Sequence, residues 1–378
     1  MHLLDLLGAR STPGAALLLT LTRRCPLACA HCSTASTPVS EQLDARPLVD
    51  FVATFRADNR PDHLLLTGGE PLLRPRLVRR LARLARATGC RTQLQTGMFF
   101  ARHDRVPAEI ERALAAVDHV AASIDAFHEA WVPRDRVLAA LRPLVDAGRD
   151  VSVQVTGAGA DDPYLAEATD AVRRAFDDRV PVLVTSLRPA GRAAAWLPRT
   201  RPGAAPGSAP VRGSGAAADP CAMAAWPVVA FDGTVVACCN QDIVDGGAGR
   251  AGGAGGGGLP AHLRLGHIAH DDWETVRRRA RERATLRAVR AFGPRYVAEA
   301  IAEGPPGGAC DGYCATCVSA LGAPSAAARV DALMARPGTQ VMAERIGDLV
   351  QRRGADGFLD RHTVAAYRHL AHLGGPTA

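Results

Sequence analysis

Three cysteines in one short loop are the residues of this chain best suited to chemistry. Cys25, Cys29 and Cys32 follow the apolar run 15–21 and lie within the segment 24–32. Iron–sulfur clusters are normally held by four cysteine thiolates. A loop with three thiolates can hold three irons of a 4Fe-4S cluster, which leaves the fourth iron open to another ligand. The spacing therefore predicts a cluster with a free coordination site.

A second segment, Gly68-Gly69-Glu70-Pro71, follows further along the chain. Together the two segments resemble the radical S-adenosylmethionine (SAM) enzymes, whose signature is a C-x3-C-x2-C loop after the first strand of a partial barrel. In that superfamily the open iron chelates the amino and carboxylate groups of SAM. One electron from the cluster then cleaves the sulfonium to a 5′-deoxyadenosyl radical, which abstracts hydrogen from the substrate. The resemblance implies that the backbone of Gly68 to Pro71 and the Glu70 carboxylate meet the SAM amino group, because glycines allow close backbone approach.

Zinc is the alternative occupant of the cysteine loop. His31 stands where the superfamily often has an aromatic residue, and with the three cysteines it offers a fourth potential zinc ligand. Zinc sites usually consist of two separated ligand pairs, however, and His31 lies too close to Cys32 for easy tetrahedral geometry. The iron–sulfur interpretation is therefore favoured.

Length and composition limit the class of protein. With 378 residues the chain exceeds the size at which single cores stop growing, which favours two domains. Its ten cysteines cluster at metal-ligand spacing in a long chain, unlike the disulfides of small secreted proteins. The apolar run 15–21 is too short to span a bilayer. We expect a cytoplasmic protein with no signal peptide and no membrane segment.

The net charge of +7 comes from a chain that contains arginine and no lysine. This bias resembles GC-rich coding more than selection for a partner, so we expect no nucleic acid, and a lysine Schiff base is excluded. The densest basic run, 277–290, is interpreted as a solvated helix face. Binding of an acidic peptide or phosphate is the alternative for that run.

Strand-like and helix-like segments alternate along the first half of the chain. This alternation predicts parallel strands with crossover helices, and six such units fit an α/β, partial (β/α)6 TIM-like barrel, the fold that the resemblance implies. The predicted strands are 17–22, 63–67, 92–96, 119–124, 151–156 and 182–187, and the predicted helices are 43–56, 76–88, 108–117, 136–147 and 164–176. The cysteine loop and Gly68 follow the first two strands, at the ends where barrels collect catalytic groups.

Other strand ends supply further candidates. Ser123 and Asp125 resemble a Ser-x-Asp motif that faces the ribose and adenine of SAM in the superfamily, and turn formation is the alternative for them. His128 and Glu129 lie just beyond, where they could orient substrate or belong to a solvated loop. Arg192 resembles an arginine that follows the sixth strand in relatives. It could bind a carboxylate through its planar fork, or it could be a surface arginine.

A second cysteine set begins at Cys221. Between Cys221 and Cys238, the apolar alternation around Asp232-Gly233 predicts a β-hairpin. This spacing resembles the opening of SPASM and Twitch extensions, which hold auxiliary 4Fe-4S clusters in many radical SAM enzymes. Segments 265–268 and 273 resemble parts of the same extensions.

The resemblance implies one auxiliary 4Fe-4S cluster, held by Cys221, Cys238, Cys314 and Cys317. Cys310 and Cys239 are further candidates, and Cys310, Cys314 and Cys317 could act together with Cys221 instead. A structural zinc knuckle is the alternative for the whole set.

The predicted organisation has four parts. A radical SAM core covers 1–197, a linker 198–219, a cysteine-rich β-hairpin and helix extension 220–322 and a C-terminal helical segment 323–378. A glycine-rich insertion, 246–258, interrupts the extension.

The predicted function is that of a radical SAM enzyme that modifies a ribosomal peptide by cross-linking, epimerisation or oxidation, with help from the auxiliary cluster. A dehydrogenase acting on an aminocyclitol or sugar-type natural-product intermediate is one alternative. A non-catalytic iron–sulfur or zinc protein is another. The expected partners are SAM, a reductant such as a flavodoxin or ferredoxin, and the precursor peptide or small molecule.

Overall fold

The computed structural model describes residues 1–103, 105–197, 218–246, 258–302 and 312–375. Most of the predicted linker, most of the glycine-rich insertion and Cys310 lie outside these residues. The described strands form one nine-stranded sheet in the order β6-β5-β4-β3-β2-β1-β7-β8-β9. The strands are β1 Ala16–Thr20, β2 His63–Thr67, β3 Arg91–Thr96, β4 His119–Ile124, β5 Asp150–Gly157, β6 Val182–Ser186, β7 Val228–Val229, β8 Thr234–Val236 and β9 Arg264–His267.

The described α-helices fall into two groups. Those of the first 197 residues are α1 Leu3–Gly8, α2 Ala45–Val52, α3 Pro75–Ala87, α4 Ala108–Leu114, α5 Ala126–Glu129, α6 Arg134–Asp146 and α7 Pro163–Phe176. Those that follow are α8 Gln241–Gly246, α9 Trp273–Glu282, α10 Ala284–Phe292, α11 Pro294–Ala300, α12 Tyr313–Ser319, α13 Ala326–Met334 and α14 Pro337–His362.

Strands β1 to β6 are all parallel, and crossover helices join them. The predicted α/β fold with six parallel strands is therefore confirmed. Strand β1 is buried at four of five positions, because helices and loops cover both faces of a parallel sheet. Helix α3 shows how the sequence builds this layer: Leu77, Val78 and Leu81 are buried on one face, while most of its arginines point away.

The cysteine-rich extension continues the barrel sheet. Strand β7 pairs with β1 in parallel, and β8 and β9 add antiparallel strands beyond it. The hairpin predicted around Asp232-Gly233 is the β7–β8 pair, with Gly233 at φ +91° in the turn. The predicted domain bounds remain predictions.

The C-terminal segment packs on the opposite edge of the sheet. The backbone N–H of Val364 donates to the Val184 carbonyl of edge strand β6 (3.0 Å). Leu359, at the end of α14, is buried in a cluster with Leu3 and Leu7 of α1. This segment therefore covers an edge whose backbone groups would otherwise be open to pairing.

Of the helices in the described ranges, none combines the length and the apolar character needed to cross a lipid bilayer.

Trp273 of α9 packs the extension against the barrel. Its side chain is fully buried, its ring centroid lies 5.6 Å from that of Phe55, and its indole N–H donates to the Asn59 carbonyl (2.6 Å). We expect Trp273→Ala to lower the free energy of unfolding by about 3–5 kcal/mol, because it leaves a large cavity. Trp131→Ala is the control, since Trp131 is 43% exposed. Thermal and denaturant unfolding check the prediction, and equal losses in both variants would contradict it.

Candidate active site

The cysteine loop is packed against the Gly68-Gly69-Glu70 segment by backbone contacts. The N–H of Gly69 donates to the Thr22 carbonyl (2.7 Å), and the N–H of Glu70 donates to the Arg24 carbonyl (2.9 Å). A Cβ atom on Gly68 would lie 2.4 Å from the Thr22 carbonyl oxygen, and one on Gly69 would lie 2.4 Å from that of Arg24. Two glycines are therefore required because the chains approach too closely for any side chain.

Glu70 connects the ends of β2 and β3. Its buried carboxylate accepts hydrogen bonds from the hydroxyl of Thr96 and from the backbone N–H groups of Leu72 and Gly97, all at 3.0 Å. Burial raises the pKa of Glu70 to about 7, against the effect of these hydrogen bonds. Pro71 is buried in the short 3-10 turn that Glu70 caps. The contact predicted between Glu70 and SAM stays a prediction.

Arg192 holds the cysteine loop from the other side. Its Nε donates to the Cys29 carbonyl (2.9 Å), its Nη1 to the Ser36 carbonyl (2.7 Å), and its backbone N–H to the Cys32 carbonyl (3.0 Å). Within the described residues its buried Nη2 has no hydrogen-bond partner. Two guanidinium nitrogens of Arg192 therefore donate to loop carbonyls and Nη2 remains for another acceptor, so Arg192 is not a free surface arginine, and its binding of a carboxylate stays a prediction.

Asp125 organises a cluster beside Cys29. One carboxylate oxygen caps α5 through the backbone N–H groups of Phe127 and His128, and the other lies 2.6 Å from His128 Nδ1 and 3.3 Å from His31 Nε2. Burial opposes ionisation of Asp125, yet hydrogen bonds from His128 and then His31 keep the pKa of its carboxyl below the usual range.

His128 joins this cluster to the cysteine loop. Burial lowers the pKa of its imidazole, but the Asp125 carboxylate and then the Cys29 thiol, which both bond to the ring, raise it to about 10 overall. The donor atoms of His31, Asp125 and His128 lie within 4.8 Å of one another, a spacing that also suits a metal ion. His31 stacks on Phe127 with centroids 4.8 Å apart. The sequence marks each of the three residues separately, and the Ser-x-Asp motif marks Asp125, but no local signal indicates that the three residues meet.

The remaining barrel candidates lie at the same end of the sheet. Ser123, His128 and Glu129 line one small cleft with Gly97. The Glu129 carboxylate is paired with Arg134 (2.7 Å) and accepts a hydrogen bond from the Tyr164 hydroxyl (2.5 Å). Glu129 is therefore engaged by the protein, and its predicted contact with substrate stays a prediction.

Four thiols of the extension lie near one another, those of Cys221, Cys238, Cys314 and Cys317. Burial raises the pKa of each thiol, and the charge of Cys221 raises it further at the other three. None of the four forms a disulfide in the described residues. The four thiols thus influence one another's pKa, and their role as the ligands of an auxiliary cluster stays a prediction.

Cys239 contacts the side chains of Arg10 and Met223. Its sulfur lies 2.6 Å from Arg10 Nη2 and 3.2 Å from the Met223 sulfur. The guanidinium of Arg10 also stacks over the Trp226 ring at 4.4 Å. No motif in the sequence around Arg10 indicates this contact.

Arg23 connects the cysteine loop to the extension and was also missed. Its guanidinium is buried, lies 2.6 Å from the Asp245 carboxylate and stacks 4.1 Å from the Phe231 ring centroid. Its Nη1 donates to the Thr34 carbonyl at 2.8 Å. In an arginine-rich chain nothing in the local sequence distinguishes this arginine from Arg24.

The donor set of the cysteine loop fits a 4Fe-4S cluster with SAM. Three thiols on one loop suit three irons of a 4Fe-4S cluster. Among the described residues, Arg192 Nη2 and His31 Nδ1 are buried without partners beside this loop. SAM carries a carboxylate, hydroxyls and ring nitrogens, which are groups that could satisfy both atoms.

Comparison with known proteins agrees with this geometry. The model of the Radical SAM superfamily matches residues 19–185, and that segment of the chain is a radical SAM domain. Members of this superfamily are enzymes.

Two curated proteins are similar to parts of the chain. Pre-heme d1 synthase of Dinoroseobacter shibae is 32% identical over 169 residues, 42% of this chain and 40% of that protein. PqqA peptide cyclase of Rhizobium meliloti is 38% identical over 120 residues, 30% of each chain. The matches thus span less than half the length of these relatives. A solved structure of anSMEcpe with AdoMet and the Cp18Cys peptide bound is 14% identical, covers 69% of this chain and 79% of that one, and has a TM-score of 0.44.

Gly191 tests whether the backbone packing around the loop matters. It has φ +56°, and an added Cβ would lie 2.3 Å from the carbonyl oxygens of Cys32 and Ser33. We expect Gly191→Ala to displace the loop and to lose about four irons per chain after anaerobic reconstitution, measured as iron and acid-labile sulfide. Gly148→Ala is the matched control, because Gly148 has a similar φ of +70° and nothing within 4 Å. If both variants kept the iron content of the unmodified protein, the packing would not control cluster binding.

Proposed function

We propose that this chain is a radical SAM enzyme that carries a 4Fe-4S cluster on Cys25, Cys29 and Cys32 with SAM at the open iron. The observation that carries the proposal is the cysteine loop itself, which Gly68 and Gly69 contact on one side and Arg192 on the other. When bound, the cluster and SAM supply one-electron reductive cleavage of the sulfonium. The protein supplies position and shielding.

The residues around the loop have separate tasks in this proposal. Arg192 fixes the loop carbonyls and presents Nη2 to the SAM carboxylate. Asp125 orients both imidazoles, so that His128 contacts Cys29 while His31 stacks over Phe127. His31 presents its unpartnered Nδ1 to the nucleoside. Gly68 to Pro71 form the wall that meets the amino group.

The extension carries a second 4Fe-4S cluster in this proposal. The charge of Cys221, which raises the pKa of the thiols of Cys238, Cys314 and Cys317, supports it, since four thiolates would complete the ligand set of one cluster. This cluster would accept or relay the electron that the substrate gives up. Arg23 gives the two sites a direct structural link.

The proposed substrate is a peptide, and the proposed reductant is a flavodoxin or ferredoxin. The relative named PqqA peptide cyclase supports a peptide, although its match covers 30% of either chain. A small organic molecule is the second candidate, which the relative named pre-heme d1 synthase favours. We propose a cytoplasmic location, where thiol ligands stay reduced.

Two cysteine variants separate the roles of the two clusters. Cys29→Ala should abolish formation of 5′-deoxyadenosine from SAM, because it removes a ligand of the SAM-binding cluster. Cys314→Ala should keep this uncoupled cleavage while it stops substrate turnover, because it removes a ligand of the auxiliary cluster. Each variant should lose up to about four irons per chain. The assay uses anaerobically reconstituted, dithionite-reduced protein with SAM and chromatographic detection of 5′-deoxyadenosine.

Two results would contradict the proposal. If the unmodified protein binds iron but forms no 5′-deoxyadenosine, the chain is a non-catalytic metal protein. If both variants lose SAM cleavage equally, the second cysteine set does not act separately from the first.

A further inference from the structure

A cavity of about 830 Å³ lies at the amino ends of β1 and β2. The turn before β1 and the segment before β2 form its floor, α9 and α10 form one wall, and α14 forms another. The cysteine loop and Gly68 follow the carboxyl ends of the same two strands. The cavity therefore lies at the opposite end of the sheet from the candidate active site, and the proposed function does not use it.

Five arginines line this cavity, namely Arg60, Arg277, Arg281, Arg287 and Arg290. Helices α9 and α10 are separated by the single residue 283, so that Arg281 and Arg287 stand on either side of a sharp bend. In the described ranges of the chain, Arg277, Arg281 and Arg287 have no carboxylate within salt-bridge distance. Elsewhere in the described residues arginines do pair with acids, as Arg134 does with Glu129.

Arg290 forms a fixed part of the wall. Its guanidinium donates to the carbonyls of Ala280 (2.8 Å), Arg281 (3.2 Å) and Ala224 (3.3 Å). Burial and then the charge of Arg287 lower the pKa of Arg290 to about 10. The arginines thus repel one another in the free protein, and a bound anion would relieve this repulsion.

The side chains of Arg277 and Arg60 also contact neighbouring segments of the chain. Gly14, at φ +74°, forms the turn before β1, and a Cβ atom there would lie 3.4 Å from Arg277 Cγ. Arg60 Nη1 pairs with Asp62 (2.9 Å), while its buried Nε has no partner among the described residues. The wall therefore combines two fixed guanidinium groups, those of Arg60 and Arg290, with the solvent-accessible side chains of Arg277, Arg281 and Arg287. Guanidinium groups suit carboxylates because their fork matches them geometrically.

We propose that this cavity binds an acidic segment of a peptide, and the further proposal that this peptide is the substrate rests on the function proposed above. A cavity of about 830 Å³ is large enough for several peptide residues and larger than one small anion needs. Asp58, Asp62 and Glu344 also line the cavity. These three carboxylates disfavour the dense, uniform charge of a nucleic acid and favour a ligand whose acidic side chains alternate with neutral or basic groups.

The position of the cavity sets a spacing requirement on such a peptide. A strand of five residues is roughly 16 Å long, and the peptide must run around the outside of the barrel to reach the other end. An extended chain covers about 3.3 Å per residue, so the acidic segment and the modified residue would be separated by on the order of ten residues or more. The cavity is thus a docking site, distinct from the site of reaction.

Binding of a labelled peptide to the reconstituted full chain tests the proposal. The probe is a fluorescein-labelled peptide of roughly 12 residues that alternates Glu with Gly and Leu. A peptide with every Glu replaced by Gln is the uncharged control. Fluorescence anisotropy should show binding of the Glu peptide, weakening as salt is added, and little binding of the Gln peptide.

Two triple variants of equal charge change locate the site. Arg277→Ala/Arg281→Ala/Arg287→Ala should weaken binding of the Glu peptide by roughly tenfold or more. Arg83→Ala/Arg278→Ala/Arg345→Ala removes three exposed arginines that do not line the cavity, and it should stay within about twofold of the unmodified protein. Failure of the Glu peptide to bind, or equal weakening in both triple variants, would overturn the proposal.

Competitors distinguish other ligands. A single-stranded oligonucleotide that binds more tightly than the Glu peptide, and that loses affinity in the cavity variant, would assign the cavity to nucleic acid and overturn the proposal. Displacement of the peptide by low concentrations of inorganic phosphate would likewise assign it to phosphate. Formation of 5′-deoxyadenosine in the same preparations should be unchanged by either triple variant. Binding without this product would contradict the proposed function alone, and product without binding would contradict the cavity alone.

Discussion

The structure depends on close contact between backbones around the cysteine loop. Gly68 and Gly69 press against the carbonyls of Thr22 and Arg24, and Gly191 lies against that of Cys32. These contacts fix where the three thiols point without using any side chain that the chemistry needs. They also explain why the loop can lie at the mouth of the barrel, since the ends of β1 and β2 and the segment after β6 all converge on it.

Both edges of the six-stranded parallel sheet are occupied, and this arrangement places the second cysteine set. Strand β7 pairs with β1, and the segment around Val364 bonds to β6. The end of α14 reaches the extension as well, because Arg361 pairs with Asp219 at 2.8 Å and donates to the Pro220 carbonyl. The C-terminal segment thus connects the far edge of the barrel to the residues that precede Cys221.

Local sequence signals predicted the parts of the molecule that depend on local structure. The six strands follow from apolar runs bounded by turns, and the hairpin follows from Asp232-Gly233. The cluster of His31, Asp125 and His128 could not be predicted, because it needs two strand ends that are far apart in sequence to meet. The cavity lined by five arginines is even less accessible to prediction from sequence. Its lining residues, which include Gly14, Arg60, Arg277 and Gln351, meet only through tertiary packing. Arg192 shows a third limit. Its residue type left a carboxylate partner and a surface position open, whereas two of its guanidinium nitrogens donate to the loop carbonyls of Cys29 and Ser36.

The proposed function requires that the three-cysteine loop holds a cluster with one iron open to SAM. Low-temperature electron paramagnetic resonance of the anaerobically reconstituted, reduced protein tests it most directly, with spectra recorded before and after SAM is added. We expect SAM to change the signal of one cluster and Cys29→Ala to lack this SAM-responsive component. A spectrum that SAM leaves unchanged, or a SAM-responsive component that persists in Cys29→Ala, would contradict it.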